Sequence, residues 1–395
     1  MKSLRTHLWL TLCLLFSLSA GGQAVSAVDT TAMMRSDYIT ASVLIVSPAD
    51  EIYSMFGHCA LRLNCPSKKM DYCFTFESST DTKGLVNFFR GKARGGFVAA
   101  PTDSYVEYYR PTGRGITEHI LNLTPAEKLT LWRNVDQSIA KGFSYHYDYM
   151  HTQCTSMVVY LVSGALSAPV TYHQLPNQVE GSFRDQMLAE SVPYPWTRFF
   201  WQTVMGPEGD STQPLEQKIT PRLMPTVWQH ATVGNEQRTL TDGYGQQLIK
   251  ADEPTSSMPS WLTPSLACTL LIIIAIILTA GQLKRGWRCL PHAFDGMLLA
   301  IHLLLAIGLT ALVLFSELEA TQWNWYVLVF NPLPELTWLV RPTWLTWVCR
   351  CLLAVIMLTW VLTPFIPQLD LPHALLMGSM AVRLSPRIKT KRSLK

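Results

Sequence analysis

Charge is what this 395-residue chain has least of: 15% of its residues are Asp, Glu, Lys or Arg, against 48% hydrophobic. That balance is too apolar for an ordinary soluble enzyme of this length. The formal net charge of only +4 gives no field strong enough to argue for nucleic-acid binding. There is no tight CxxC and no HExxH, and Cys349-Arg-Cys351 lies in an apolar stretch without histidine partners, so a metal site is disfavoured. A phosphate-cradling glycine loop is also missing, because Gly91 to Gly96 is too loose a match. No cofactor is therefore expected. The lack of an internal repeat or a long low-complexity tract sets repeat architectures aside.

What is present is unevenly distributed. Lys2 and Arg5, the apolar run Leu8 to Leu18 and the small residues through Val25-Ser26-Ala27 read as a signal peptide over residues 1–27, with the mature chain beginning near Val28. The run is shorter than the roughly 20 residues a membrane span needs. From Trp261 the composition changes. Apolar stretches at Leu266–Leu283, Phe294–Phe315, Trp323–Val340, Leu345–Phe365 and Leu371–Leu384 predict a transmembrane region of about five helices over 261–385, the third interrupted by Pro332 and Pro334.

Basic residues orient these spans. Lys284, Arg285 and Arg288 follow the first, Arg341 the third, and Arg383, Arg387, Lys389, Lys391, Arg392 and Lys395 the last, with the basic tail at 386–395. Those ends are expected in the cytoplasm. An odd number of spans then puts the N-terminal domain, 28–204, on the periplasmic side of a multi-pass inner-membrane protein. Between them, residues 205–260 carry Gly206-Pro-Glu-Gly-Asp210, Pro221, Pro225, Gly243-Tyr-Gly245 and Asp252-Glu-Pro, which predicts an irregular connector ending in a short flexible tether.

The N-terminal domain reads as mixed α and β. Ala41–Ser47, Met55–Leu63 and Asp71–Glu77 predict strands, the last with Tyr72, Phe74 and Phe76 facing the core. Thr124, Pro125 and Glu127 form the signature of a helix start with a capping box, which makes Asn122-Leu-Thr124 a cap and not a glycosylation site. A second helix start at Thr152-Gln-Cys-Thr, with Thr152 as the expected cap, places Cys154 in a first turn, where free N–H groups and the helix dipole stabilise a thiolate. A thiolate nucleophile needs a base, and His58 stands on its strand opposite the apolar face of Cys59, Leu61 and Leu63. Pairing the second and third strands through the loop Cys65–Met70 puts His58 opposite Glu77, the candidate third catalytic group; a slip of two residues substitutes Thr75.

The segments Asp50-Glu-Ile-Tyr-Ser-Met-Phe-Gly-His58-Cys-Ala-Leu-Arg62, Leu121-Asn-Leu-Thr-Pro-Ala-Glu-Lys128 and Tyr145-His-Tyr-Asp-Tyr-Met-His-Thr-Gln-Cys154-Thr155 resemble the periplasmic domain of the Lnb family of lipoprotein N-acyltransferases. The likeness extends through Phe294-Asp295-Gly296 and Trp323-Asn-Trp-Tyr-Val-Leu-Val-Phe-Asn-Pro-Leu333, so it covers most of the mature chain. It implies an α+β domain of circularly permuted NlpC/P60 papain-like type, followed by a helical transmembrane bundle, with Cys154 as nucleophile and His58 as base. Gln153 stands where the family usually has Asn, Met157 where a basic residue is common, and the strand at Asp71–Glu77 lacks the usual Asn-Tyr-Gly.

The expected reaction is transfer of an acyl group from a phospholipid or lipoprotein donor, through a Cys154 thioester, to the N-terminal amine of a diacylated lipoprotein. A membrane-tethered cell-wall amidase or peptidase, and a noncatalytic membrane sensor, are the alternatives. A multi-span block favours lipid substrates, since a single anchor suffices for reaching the wall. Cys59, Cys65 and Cys73 lie near the His58 hairpin, where a Cys65–Cys73 disulfide is conceivable outside the cytoplasm. Trp261, Trp287, Trp323, Trp325, Trp338, Trp344 and Trp347 mark span ends. Tyr105, Tyr108 and Tyr109 are expected in core packing before an acyl cleft, and His302 is a polar residue inside a span.

Overall fold

The computed structural model describes residues 38–78, 82–173, 175, 181–211, 219–234, 238–252, 258–331, 342–362, 365, 366 and 368–389. The expected signal peptide, the tether at 253–257, most of the second half of the third apolar stretch and residues 390–395 of the basic tail lie outside them.

A seven-stranded antiparallel sheet organises the N-terminal part, in the order β10-β5-β1-β2-β3-β4-β6. Its strands are β1 (Thr40–Val46), β2 (His58–Cys65), β3 (Met70–Ser78), β4 (Arg94–Pro101), β5 (Ile116–Ile120), β6 (Ser144–His146) and β10 (Gly245–Ile249). The nearly continuous apolar run of β1 fits a strand covered on both faces. Ala41 and Val43 join one core, and Leu44 and Val46 join another on the far side. β2 and β3 pair in the register that their hairpin length predicts, with Ala60 opposite Thr75 and Cys65 opposite Met70. Phe74 and Phe76 are buried as expected, while Tyr72 sits at the rim.

One face of the sheet carries α3 (Pro125–Ala140) and α4 (Cys154–Ser163). The α3 start has the predicted chemistry: the Thr124 hydroxyl accepts from Glu127 N, and the Glu127 carboxylate accepts from Thr124 N. Glu127 also receives hydrogen bonds from Ser167 and an ion pair from Arg238 at 2.8 Å. On the other face lies α2 (Thr102–Tyr109), whose Tyr105 and Tyr109 are buried on Leu44, Ala60 and Cys73, away from Cys154, while Tyr108 is exposed.

Much of the described part of residues 205–260, expected as an irregular connector, is instead built into the domain. They supply α7 (Met224–Gln229), β8 (Ala231–Val233), β9 (Arg238–Thr239) and β10; β8 pairs with β7 (Val170–Tyr172) and with β9, and β10 closes the edge of the large sheet beside β5. Such short segments have little pattern of their own, and β8 and β10 are completed by partners more than 50 positions away.

Four helices among the described residues form the C-terminal part: α8 (Pro264–Arg285), α9 (Cys289–Phe315), α10 (Pro342–Leu362) and α11 (Leu371–Lys389). Among the described residues, α8 and α9 are long and apolar enough to cross a membrane. The described start of the third apolar stretch is a short 3-10 turn, Trp325–Leu328. Arg383, expected among the exposed basic residues after the last span, is buried inside the bundle. Its guanidinium donates to Asp295 at 2.6 and 3.2 Å, to Thr279 at 2.7 Å and to Gln282 at 3.0 Å. Burial without those partners would be prohibitive. His302 is packed too, with Nε2 3.0 Å from the Val329 carbonyl.

The two parts are joined at two polar junctions, the first at the surface and the second buried. Gly91, at φ +64°, lets the chain after α1 (Thr82–Phe89) press on the segment following α9, where an added Cβ would stand 2.7 Å from Leu318 N. Glu317 N donates to the Arg90 carbonyl at 3.0 Å, and Lys92 pairs with Glu317 at 2.9 Å. Helices α5 (Phe183–Glu190) and α6 (Pro195–Val204) supply the second junction. Gln202 donates to the Gln368 carbonyl at 2.8 Å, Asn324 to the Thr203 carbonyl at 2.8 Å, and Thr203 Oγ1 lies 2.7 Å from His373 Nε2. The His373 ring stacks between Phe199 and Tyr326.

Candidate active site

Cys154 is the first residue of α4, and the residue that caps the helix is Gln153, one position later than expected. The Gln153 side chain accepts from Thr155 N at 3.0 Å, and Gln153 N donates to Ser156 Oγ at 2.9 Å. Thr152 serves the preceding loop instead. Its hydroxyl donates to the His146 carbonyl at 2.6 Å, and its backbone pairs with that of Asp148 to close the loop leading into the helix. Asp148 accepts from Met150 N and His151 N, which tightens that loop. Gln153 thus performs the capping that a shorter Asn side chain would also perform.

His58 opens β2 directly after Gly57, whose φ of +80° and close approach to the Val46 carbonyl favour a residue without a Cβ. Because α4 packs on β2 and β3, the start of the helix and the start of the strand meet. His58 and Cys154 are brought together there. The His58 Nε2 lies 2.6 Å from the Thr75 hydroxyl. The expected Glu77 is not the ring's partner: it is exposed on β3, two residues beyond Thr75 and on the same face. Thr75, the alternative the two-residue slip supplied, is 1% exposed and takes this place although the strands have not slipped. The imidazole reaches diagonally along the ladder.

Cys154 is 8% exposed. Its thiol is held well below the ordinary cysteine range, chiefly by a hydrogen bond from the Cys59 thiol. Burial opposes this; the charge and hydrogen bond of His58 and the backbone N–H of Cys59 reinforce it. Cys59 is displaced in the other direction, well above the ordinary range, mainly by burial. The Thr155 hydroxyl lies 3.9 Å from each of the two sulfurs. One thiolate beside one protonated thiol is the arrangement of lowest charge cost in such a space. Cys59 was legible in the sequence only as a core residue; its position directly after His58, on the face toward α4, is the signal for its second role.

Cys65 and Cys73 do not pair. They sit three rungs apart on opposite faces of the β2–β3 hairpin, with Cys65 near Ser67 and Cys73 donating to Thr102 at 3.4 Å. Among the described residues no cluster of His, Cys, Asp and Glu could hold a metal ion. A thiol at a helix start, an imidazole beside it and a hydroxyl on that ring are the kinds of group that thiol nucleophile chemistry requires.

Comparison with known families places this geometry. Residues 27–180 match the model of the Lnb N-terminal periplasmic domain, and residues 255–392 match that of the Lnb transmembrane domain. No curated protein and no solved structure matches the chain. A periplasmic domain of mixed α and β structure carrying the Cys154 site, followed by a helical membrane region, makes this a membrane protein of lipoprotein processing: the chain belongs to the Lnb family.

Proposed function

We propose that the protein is a multi-pass inner-membrane acyltransferase that N-acylates the lipid-modified N-terminal cysteine of lipoproteins through a thioester on Cys154, within a permuted papain-like domain. The observation that carries this reading is the junction of a lowered-pKa thiol with His58 in a domain clamped onto membrane helices.

The Cys154 thiolate attacks the carbonyl carbon of a fatty ester. The C–O bond breaks, the acyl group stays on sulfur, and protonated His58 gives its proton to the departing alkoxide. The lipoprotein's uncharged α-amine then attacks the thioester, the C–S bond breaks, and His58 takes the proton lost by nitrogen. Orientation at Thr75 supports this exchange: with Nε2–H donating to the hydroxyl, Nδ1 is the nitrogen left for the sulfur. The thioester must meet an amine before water, which favours a site held against the bilayer where donor and acceptor are both anchored.

The test is to incubate purified full-length protein with phospholipid and a diacylated lipopeptide, and separately with cell-wall peptides. Gain of one acyl chain on the lipopeptide, dependent on Cys154, is expected. Cleavage of wall peptides without acyl gain would replace this reading by the amidase alternative.

A further inference from the structure

We infer that helices α1 and α6 form the two banks of a passage by which one fatty acyl chain of a lipid in the periplasmic leaflet reaches Cys154, lined by Phe88, Phe89 and Phe200 and ending at Tyr147. This rests on the acyltransferase reading and adds to it the binding site of the donor chain.

Three observations carry it. The first is continuity of aromatic surface. Tyr147 packs on both the core that contains Cys154 and the cluster that reaches Leu312 of α9. From its ring the centroids step 5.7 Å to Phe88, 5.0 Å to Phe89 and 5.7 Å to Phe200. The charge of Cys154 acts on the Tyr147 phenol, which burial already pushes up.

The second is place. α1 ends in the close contact of Gly91 with Leu318, just past the last residue of α9, and α6 is fixed to the approach to α8 by Trp196, whose indole N–H donates to the Leu262 carbonyl at 2.7 Å. Both helices thus lie at the periplasmic ends of apolar helices, at the depth where Phe315, Trp323 and Trp325 are exposed. Short helices with apolar faces at that depth lie in the headgroup layer.

The third is incomplete burial. Leu85, Phe88, Phe89, Trp196 and Phe200 are half-buried, and Val86 is 52% exposed. The hidden Trp201 behind them gathers Phe56, Phe88, Tyr149 and Phe200 around itself. Phe56 lies two residues before His58, and Tyr149 lies in the loop before Cys154. An apolar surface left open between the catalytic residues and the bilayer suits a hydrocarbon chain, which gains with each methylene removed from water.

The experiment uses full-length Cys154→Ala protein in phospholipid nanodiscs that contain a phosphatidylethanolamine with a diazirine at the end of one acyl chain. Photolysis should label peptides spanning residues 85–89 and 198–201 in addition to the membrane faces of α8 and α9. In otherwise native protein, Phe89→Ala and Phe200→Ala should shift the preference between 12- and 18-carbon donors at least threefold, measured as a ratio of kcat/KM, while alkylation of Cys154 keeps its rate. Labels confined to α8–α11 would overturn the inference even if the lipopeptide gains its acyl chain. Labels at α1 and α6 in a protein that never acylates the lipopeptide would uphold the passage and overturn the acyltransferase reading.

Discussion

The His58 imidazole and the Thr75 hydroxyl are 2.6 Å apart on neighbouring strands, in a ladder where Thr75 directly faces Ala60. In the proposed mechanism the group that orients the base is thus a neutral hydroxyl, buried and diagonal to the ring, while the carboxylate of Glu77 is exposed. A hydrogen bond from the charged imidazolium is worth about 1.5–3 kcal/mol net, about tenfold or more in rate if it is lost only when the base works. Thr75→Val keeps the shape and should lower kcat by about tenfold, with KM little changed. Glu77→Gln should alter kcat less than twofold; a larger loss from Glu77→Gln than from Thr75→Val would reassign the orienting role.

The Cys154–Cys59 contact makes a pH prediction. Cys154 is lowered and Cys59 raised, so at any given pH the thiolate fraction of Cys154 exceeds that of an ordinary cysteine, and it is lost as pH falls through the depressed pKa. The midpoint of the pH profile for alkylation of Cys154 by iodoacetamide should therefore lie well below that of free cysteine, which titrates near about 8.5. Cys59→Ala removes the first of the lowering interactions and should move that profile upward, toward the ordinary cysteine range. An unchanged profile in Cys59→Ala would show that His58 and the backbone hold the thiolate alone.

Nucleophile and base act as one unit, so their deletions should not add. Cys154→Ala and His58→Ala should each abolish acyl transfer, and the double variant should be little worse than either. Separate rate losses that multiply in the double variant would show the two residues working in different steps.

How much of this was legible in the sequence depends on range. Cys154 at a helix start and His58 on a strand are local patterns, and the hairpin length was enough to place Ala60 opposite Thr75. The choice between Thr75 and Glu77 was not legible, because both lie on one face of β3 and the direction taken by a side chain at the start of β2 depends on the close turn at Gly57. The cap moved from Thr152 to Gln153 for a similar reason: Thr152 is claimed by the His146 carbonyl. β8 and β10 looked irregular because their partners β7 and β5 are distant, and Arg383 looked like a topology signal because its partner, Asp295, is 88 positions away.

The junction between domain and bundle gives the last prediction. Arg184 on α5 is fully buried; it donates to Asp210 at 2.6 and 3.2 Å, to Gln202 at 3.0 Å, and to the carbonyls of Met205 and Gly206 at 3.1 and 2.7 Å. Gln202 passes the connection on to the Gln368 carbonyl, and Gly206 N donates to the Ala320 carbonyl. Arg184→Met would leave the buried acceptors without a donor, while Asp210, 23% exposed, is partly solvated, so the loss should fall below the roughly 3–5 kcal/mol of a fully buried pair. The thermal midpoint of the detergent-solubilised protein should fall by several degrees, and hydrogen exchange should rise at residues 183–211. Cys154 is held by β2 and by its own helix cap, so its alkylation rate should not change. Acyl transfer from bilayer lipid should fall nonetheless, because the domain is no longer fixed against the membrane. If transfer survives while the junction exchanges freely, the clamp serves stability and not the placing of the site.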